Sequence, residues 1–279
     1  MILIADGGST KVDWRAISEN GSVKGITTPG INPVFLSEDE IFASISEKLS
    51  ALPSDDVSEV WYYGAGIVSE EAGSSVCGAL KRLFPTAQCH ADSDLMAAAR
   101  ALCGNEPGIV CILGTGSNSC FYDGKSIAAN VRAGGFILGD EASGAWFGKQ
   151  LLSDFVKGLL PQNLSSELVR RYGLDYPTVV QKVYRDPLPS RYLASFLPFI
   201  GEYANHPYCR NLLRKGFETF LTRNVAQYDY RRYPVSFTGS VAWVFRDHLE
   251  SCLKALGMRA GTIVKKPADL LAKYHKTYE

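Results

Sequence analysis

The chain contains no apolar run approaching the roughly 20 residues that cross a bilayer as a helix, which argues against a membrane-spanning role. It has no surplus of charge: 29 Lys and Arg balance 29 Asp and Glu. No broad basic field is therefore available to hold nucleic acid or an anionic membrane surface. Histidines are few, and His90, His206, His248 and His275 stand far apart in the sequence, so no zinc-ligand pattern is visible. The seven cysteines, Cys77, Cys89, Cys103, Cys111, Cys120, Cys209 and Cys252, include no C-x-x-C pair, and several lie in apolar runs. They read as reduced core residues of a cytoplasmic protein. The opening MILIADGG lacks a basic n-region and a small-residue cleavage site, which predicts the same compartment. No linker, low-complexity segment or helix-turn-helix module stands out. There are 279 residues, 46% hydrophobic and 21% charged. That is enough for two ordinary domains, with a small molecule as the expected ligand.

Two stretches organise this material. Asp6-Gly7-Gly8-Ser9-Thr10-Lys11 follows the apolar run Ile2–Ala5, and Gly114-Thr115-Gly116-Ser117-Asn118 follows Ile109–Leu113. Each run reads as a buried strand, and each loop returns into another strand-like segment before an X-Gly turn, Asn20-Gly21 or Asp123-Gly124. The order strand, Gly/Ser/Thr loop, strand, turn, strand thus occurs twice, which suggests two halves of similar construction. Glycine lets a backbone approach a ligand closely, and the hydroxyls of Ser9, Thr10, Thr115 and Ser117 can donate to phosphate oxygens. Either loop alone is explained by a tight hairpin; the pair in matching contexts points to a nucleotide clamp.

Between and beyond them the pattern alternates strand and helix. Ser37 and Glu40 form a capping box for a helix over 37–52, with Ile41, Ile45 and Leu49 on one face. Asn32 before Pro33 needs only a turn to explain it. A strand over 57–63 ends in Gly64-Ala65-Gly66, a helix covers 70–83, and a short strand over 87–90 leads to the acidic corner Asp92-Ser93-Asp94. All three corner residues suit a helix start, so sequence leaves open whether an aspartate there is a cap or a catalytic base. Gly134-Gly135 and Gly139-Asp140-Glu141 precede a helix predicted over 145–160. The segment 162–230 is mostly helical. A strand over 234–237 enters Thr238-Gly239-Ser240 and a helix predicted over 243–256, opening a helix N-terminus able to face a nucleotide. A strand over 262–265 and a helix over 268–274 close the chain.

Jointly, Asp6–Lys11, the Asp92–Arg100 corner, Gly114–Asn118, Gly134-Gly135 with Gly139–Glu141, and Gly239-Ser240-Val241 resemble the sugar kinase/hsp70/actin superfamily. Within it they are most similar to N-acetylglucosamine kinases of the BadF/BadG/BcrA/BcrD ATPase group. The resemblance implies an α/β fold of two actin-like, ribonuclease H-like domains with an ATP/sugar cleft between them: residues 1–105, joined by the terminal helix 267–279, and residues 106–266. It implies Mg-ATP as cofactor, with Asp6, Gly7, Gly8, Ser9, Thr10, Lys11, Gly114, Thr115, Gly116, Ser117, Gly239 and Ser240 around the nucleotide, and Asp6 placing Mg²⁺ through water. Asn32, Gly66, Gly135 and Asp140 would hold the sugar. Asp94, which occupies the family's position in preference to Asp92, would accept the proton of the attacking 6-hydroxyl. The implied partners are an amino sugar and ATP, without nucleic acid or membrane, and a homodimer is compatible with the family.

One departure bears on the sugar. The family pattern carries a Trp-Gly pair after the paired glycines, whereas here Gly135 runs through Phe136-Ile137-Leu138 directly to Gly139-Asp140. The shorter loop keeps an N-acetylmuramic acid kinase open within the class. An activator ATPase of acyl-CoA dehydratases, with its iron–sulfur cluster, is the competing class, but Cys111 and Cys120 fall inside predicted strands rather than in the loops such a cluster needs. A sugar sensor without chemistry is disfavoured by Asp6, Asp94 and Asp140.

Overall fold

A computed structural model describes residues 1–8, 11–67 and 69–278. The predicted nucleotide contacts Ser9 and Thr10 lie outside the described residues. In chain order the elements are β1 (Ile2–Gly7), β2 (Lys11–Ile17), β3 (Val23–Pro29), α1 (Glu38–Leu49), β4 (Glu59–Gly64), α2 (Glu70–Leu83), β5 (Gln88–Ser93) and α3 (Asp94–Cys103). There follow β6 (Gly108–Leu113), β7 (Ser117–Tyr122), β8 (Ile127–Val131), the single turn α4 (Gly135–Leu138) and α5 (Gly144–Val156). Five helices come next: α6 (Gln162–Tyr172), α7 (Tyr176–Tyr184), α8 (Pro189–Ala194), α9 (Leu197–Glu202) and α10 (Pro207–Arg223). The chain ends with β9 (Val235–Thr238), α11 (Ser240–Val244), α12 (Arg246–Ala255), β10 (Ala260–Val264) and α13 (Ala268–Tyr278).

The chain divides into two units. Unit 1 comprises Met1–Glu106, Asp123–Ile127 and Lys266–Glu279, and unit 2 comprises Pro107–Tyr122 and Ala128–Lys265. The sheet of unit 1 runs β3-β2-β1-β4-β5, antiparallel across β3, β2 and β1 and parallel from β1 to β5. The other sheet repeats that order as β8-β7-β6-β9-β10, with β6 antiparallel to β7 and parallel to β9. The repeat suggested by the two glycine loops is therefore a repeat of topology. Of the parallel strands, the central β1 and β6 are mostly buried apolar runs, whereas β5 and β10 at the sheet edges contain no buried residue.

In unit 1 alternation splits β1, β2 and β4 between two faces. Leu3, Ala5, Val12, Trp14 and Tyr62 form one core with Ile41, Ile45 and Leu49 of α1 and Val76, Ala79 and Leu80 of α2. α1 begins where its capping box predicts: the Ser37 N–H donates to Glu40 Oε2 (2.8 Å) and the Glu40 N–H to Ser37 Oγ (3.4 Å). The opposite face carries Trp61, which stacks on His90 with ring centroids 3.9 Å apart. The same face carries Tyr63, whose hydroxyl is 3.0 Å from Nε2 of the buried His275 of α13 and also receives Arg100 of α3.

In unit 2 the core joins β6 and β9 to α5, α10 and α12. α5 approaches α8 so closely that a methyl group on Gly148 would overlap the Leu193 carbonyl. The predicted helix over 145–160 stops at Val156, since Gly158 turns to φ +68°. The predicted helix over 243–256 is in fact two. Phe245, buried in the core, takes φ −107° and ψ 26°, leaving helical geometry and separating α11 from α12.

Candidate active site

One row of unit 1 collects the acidic groups. Strand register pairs Thr27 with Asp13, Asp13 with Asp6, Asp6 with Tyr63, and Tyr63 with Asp92. Residues on one cross-strand row point to one face, so these side chains share a side of the sheet. Asp6 lies at the carboxyl end of β1, Gly64 at that of β4, and Ser93 and Asp94 where β5 gives way to α3. These are the ends of adjacent parallel strands, where α/β folds place ligands.

Environment separates the carboxylates. Burial, reinforced by the charges of Asp13 and Asp94, pushes Asp6 up to about 7. Burial likewise raises Asp94, against N–H donors of its own helix start. Asp13 is buried too, yet lies below the usual carboxylate range, because hydrogen bonds from Lys266 and Lys11 outweigh desolvation. The Asp92 carboxylate accepts the Ser93 N–H at 2.7 Å, while Ser93 Oγ accepts the Met96 N–H at 3.1 Å and caps α3. The cap is thus Ser93, and Asp94 stands at the first helical position, where its carboxylate meets the N–H groups of Asp94 and Leu95.

Asn32 and Gly66 are brought together. Asn32 Oδ1 accepts the Val34 N–H at 3.0 Å in a local turn. Gly66, at φ +90°, packs against the same oxygen so closely that any side chain would overlap it. Gly7 is similarly constrained, since a Cβ there would lie 2.5 Å from Tyr62 Oη. The Gly7 carbonyl accepts the Ala65 N–H at 3.1 Å, tying the first glycine loop to the end of β4. Gly8 donates to the Lys11 carbonyl at 2.9 Å, and Lys11 opens β2.

In unit 2 the two remaining glycine loops meet. β6 and β9 pair in parallel up to Ile112 and Thr238, so Gly114 and Gly239 follow neighbouring strand ends. Gly239, at φ +118°, lies against the Leu113 carbonyl where no side chain fits, and its N–H donates to the Val264 carbonyl at 3.1 Å. Gly114 opens onto free space, with nothing within 4 Å of a Cβ placed there. The Thr115 side chain is exposed, and Ser240 is the exposed first residue of α11. Ser117 is buried, and its N–H donates to Asp140 Oδ1 at 3.3 Å. The Gly114 and Thr115 carbonyls accept the Gly144 and Ala145 N–H groups at 2.8 and 3.0 Å, locking this loop to the start of α5.

Asp140 takes φ +52° and sits beneath Gly116, raised above the usual range by burial and by Glu141 despite Ser117 and Lys149. Glu141 is paired with Arg223 at 2.6 Å. Ser143 caps α5, so neither acid belongs to the helix's first turn. Gly135, at φ +68°, is exposed with open space where a side chain would point, beside Ile137 and Leu138, which are 72% and 81% exposed.

Sequence reasoning did not reach Asp13, Lys266 or Lys149. Alternation on either side of the first hairpin signals Asp13 as the neighbour of Asp6. Lys266 Nζ lies 3.0 Å from Asp13 Oδ2, and Lys149 Nζ donates to the Phe136 carbonyl at 2.6 Å; no local signal marks either.

A glycine loop at the carboxyl end of the first strand of each of two like-ordered sheets defines an actin-like ATPase fold of the sugar kinase class. No family model and no curated protein matches the chain. Solved structures do. A proposed N-acetylglucosamine kinase from Porphyromonas gingivalis is 38% identical over 100% of this chain and 99% of its own, with a TM-score of 0.96. A second proposed N-acetylglucosamine kinase, from Chromobacterium violaceum, is 20% identical over 98% of both chains, with a TM-score of 0.80. A ROK family glucokinase from Streptomyces griseus, solved with glucose and AMPPNP, shares the fold at 16% identity and a TM-score of 0.57, over 99% of this chain and 98% of its own. The chain belongs to the N-acetylglucosamine kinase family, in the BadF/BadG/BcrA/BcrD ATPase group of the sugar kinases.

Proposed function

We propose that the protein transfers the γ-phosphoryl group of ATP to the 6-hydroxyl of an amino sugar, N-acetylglucosamine first among them. The observation that carries this is the segregation of carboxylates at the strand ends of unit 1. Asp94, at the head of α3, is an acid whose proton affinity is raised by burial, as a general base requires. Asp94 accepts the hydroxyl proton as the sugar oxygen bonds to the γ-phosphorus and the bond to the ADP oxygen breaks. In this reading Asn32 and Gly66 are the sugar contacts of unit 1 and Gly135 and Asp140 those of unit 2, while Lys11 in unit 1 and Thr115 in unit 2, each with its glycine loop, are phosphate contacts.

The residues fit a nucleotide. Gly114 offers open space, Gly239 a close backbone approach, and the buried Thr238 hydroxyl at the end of β9 has no hydrogen-bond partner. They fit an outer-sphere Mg²⁺ as well. Asp6 would act through water, since Mg²⁺ keeps several waters of its own shell alongside the substrate phosphates. Bound there, Mg²⁺ would neutralise charge on the transferring phosphate.

The deciding experiment is ADP release from Mg-ATP with N-acetylglucosamine, N-acetylmuramic acid, glucosamine, glucose or no sugar. Turnover with N-acetylated sugars alone is expected, and comparable rates for N-acetylmuramic acid would assign the open loop at Gly135 to a lactyl group. Sugar-independent hydrolysis, with iron in the purified protein, would replace this reading by an activator ATPase. The burial of Cys111 and Cys120 inside β6 and β7 speaks against that outcome.

A further inference from the structure

The ion cluster on Asp13 is unusual in its stoichiometry. Asp13 is 8% exposed, and one oxygen, Oδ2, receives both Lys11 Nζ (3.2 Å) and Lys266 Nζ (3.0 Å). Its other oxygen, Oδ1, accepts the Thr27 hydroxyl at 3.2 Å and also Lys11 Nζ at 3.4 Å. One negative charge thus organises two positive ones. The remaining nearby cation, Arg15, is committed elsewhere, to Asp269 at 2.7 Å and to the Trp14 carbonyl at 3.0 Å. Both lysine side chains stay nearly half exposed, at 47% and 45%.

Stability accounts for only part of this arrangement: the nearly buried Asp13 carboxylate needs one partner. A second, half-exposed lysine adds little, and ordering its long side chain costs rotamer entropy. Two ammonium groups brought to one point also repel each other. The arrangement becomes favourable when a polyanion arrives: the lysines are already ordered, and the surplus positive charge is neutralised. The place supports that occupant, since Lys11 closes the first glycine loop and Asp13 is the cross-strand neighbour of Asp6.

We propose that Lys266 and Lys11, held side by side on Asp13, form a two-lysine seat for the terminal phosphates of the nucleotide, with Lys266 as a phosphate-binding residue that no motif marks. The proposal rests on the kinase reading for the identity of the anion and deepens it by naming a residue. Lysine serves here as a compact point charge, suited to phosphate oxygens whose charge shifts during transfer. Asp13 is then a positioning residue, acting through the lysines.

The test is titration calorimetry of the whole chain with Mg-ATP, ADP and AMP, for the unmodified protein and for Lys266→Met, Lys266→Arg and Asp13→Asn, with melting temperatures as a check on folding. Lys266→Met is expected to weaken ATP binding about tenfold, the weight of one charge-assisted hydrogen bond. Under the same proposal AMP binding changes less than about twofold, and Lys266→Arg retains most of the ATP affinity. Asp13→Asn is expected to weaken ATP more than AMP, because the lysines lose their anchor. If Lys266→Met folds and binds ATP as the unmodified protein does, or loses ATP and AMP equally, the seat is overturned while the kinase reading stands. Failure of the unmodified chain to bind ATP would overturn the kinase reading, and the seat with it.

Discussion

Asp94 and Asp6 share a strand-end environment but imply opposite tests. Asp94→Asn keeps the shape and removes the proton acceptor. Calorimetric affinities for ATP and N-acetylglucosamine should stay within about twofold, while turnover falls by roughly 10²- to 10⁴-fold; a near-normal rate would remove Asp94 from the base role. Asp6 carries a cost that binding must offset. Its affinity for protons is raised from 3.8 to about 7 on folding, so between those values the folded chain holds a proton that the unfolded chain has released. Stability of the ligand-free protein therefore falls as pH rises from about 4 to about 7, by at most about 4 kcal/mol at roughly 1.4 kcal/mol per unit. Asp6→Asn lifts that cost. It should melt above the parent at pH 8 in the absence of nucleotide and Mg²⁺, with the gap closing near pH 4, and should bind Mg-ATP poorly.

At the scale of elements, the site depends on how loops are fastened to helices. α5 begins at a fully buried Ser143, whose hydroxyl accepts the Trp146 N–H at 3.1 Å, and its first N–H groups hold the carbonyls of the Gly114 loop. Ser143→Ala should cost about 1–2 kcal/mol in urea unfolding. It should also raise the KM for ATP more than that for the sugar, because the loosened element is the one attached to Gly114. Where local chemistry sets an element's ends, the pattern was readable: α1 and its capping box, α2 over 70–83, and the turns at Gly21 and Gly124 with positive φ. Where tertiary packing sets them, it was not. Phe245 divides one predicted helix because its ring belongs in the core of unit 2, and no propensity in Trp243–Leu256 signals that break.

At the scale of the whole molecule, the same sheet order appears in both units, and no helix among the described residues is long and apolar enough to cross a membrane. Charges balance overall, so affinity for anionic ligands rests on local devices such as the Asp13 lysines rather than on a global field. Ligand binding to the folded state alone should stabilise it by about 2.7 kcal/mol at 100 times Kd. Mg-ATP at that excess should therefore raise the melting temperature by several degrees. N-acetylglucosamine at 100 times its Kd should do the same, and glucose at that same concentration should not, which differential scanning fluorimetry would check.

By itself the sequence determined what is written in neighbouring residues. Apolar runs ending in glycine loops declare buried strands and the turns that end them, the twofold order of strand, loop and turn declares a repeated topology, and a balanced charge points to a small ligand. The alternating α/β pattern and its repeat followed from these local signals because alternation, turn chemistry and capping act over a few residues, while the actin-like fold class came from the resemblance those motifs carry. Only the tertiary structure decided which distant groups share an environment. It gave the α3 cap to Ser93, set Gly66 against Asn32, placed Asp140 beneath Gly116, and brought Lys266 from the far end of the chain onto Asp13. Desolvation and charge pairing depend on spatial proximity, and in this chain the groups that set them come from opposite ends of the sequence.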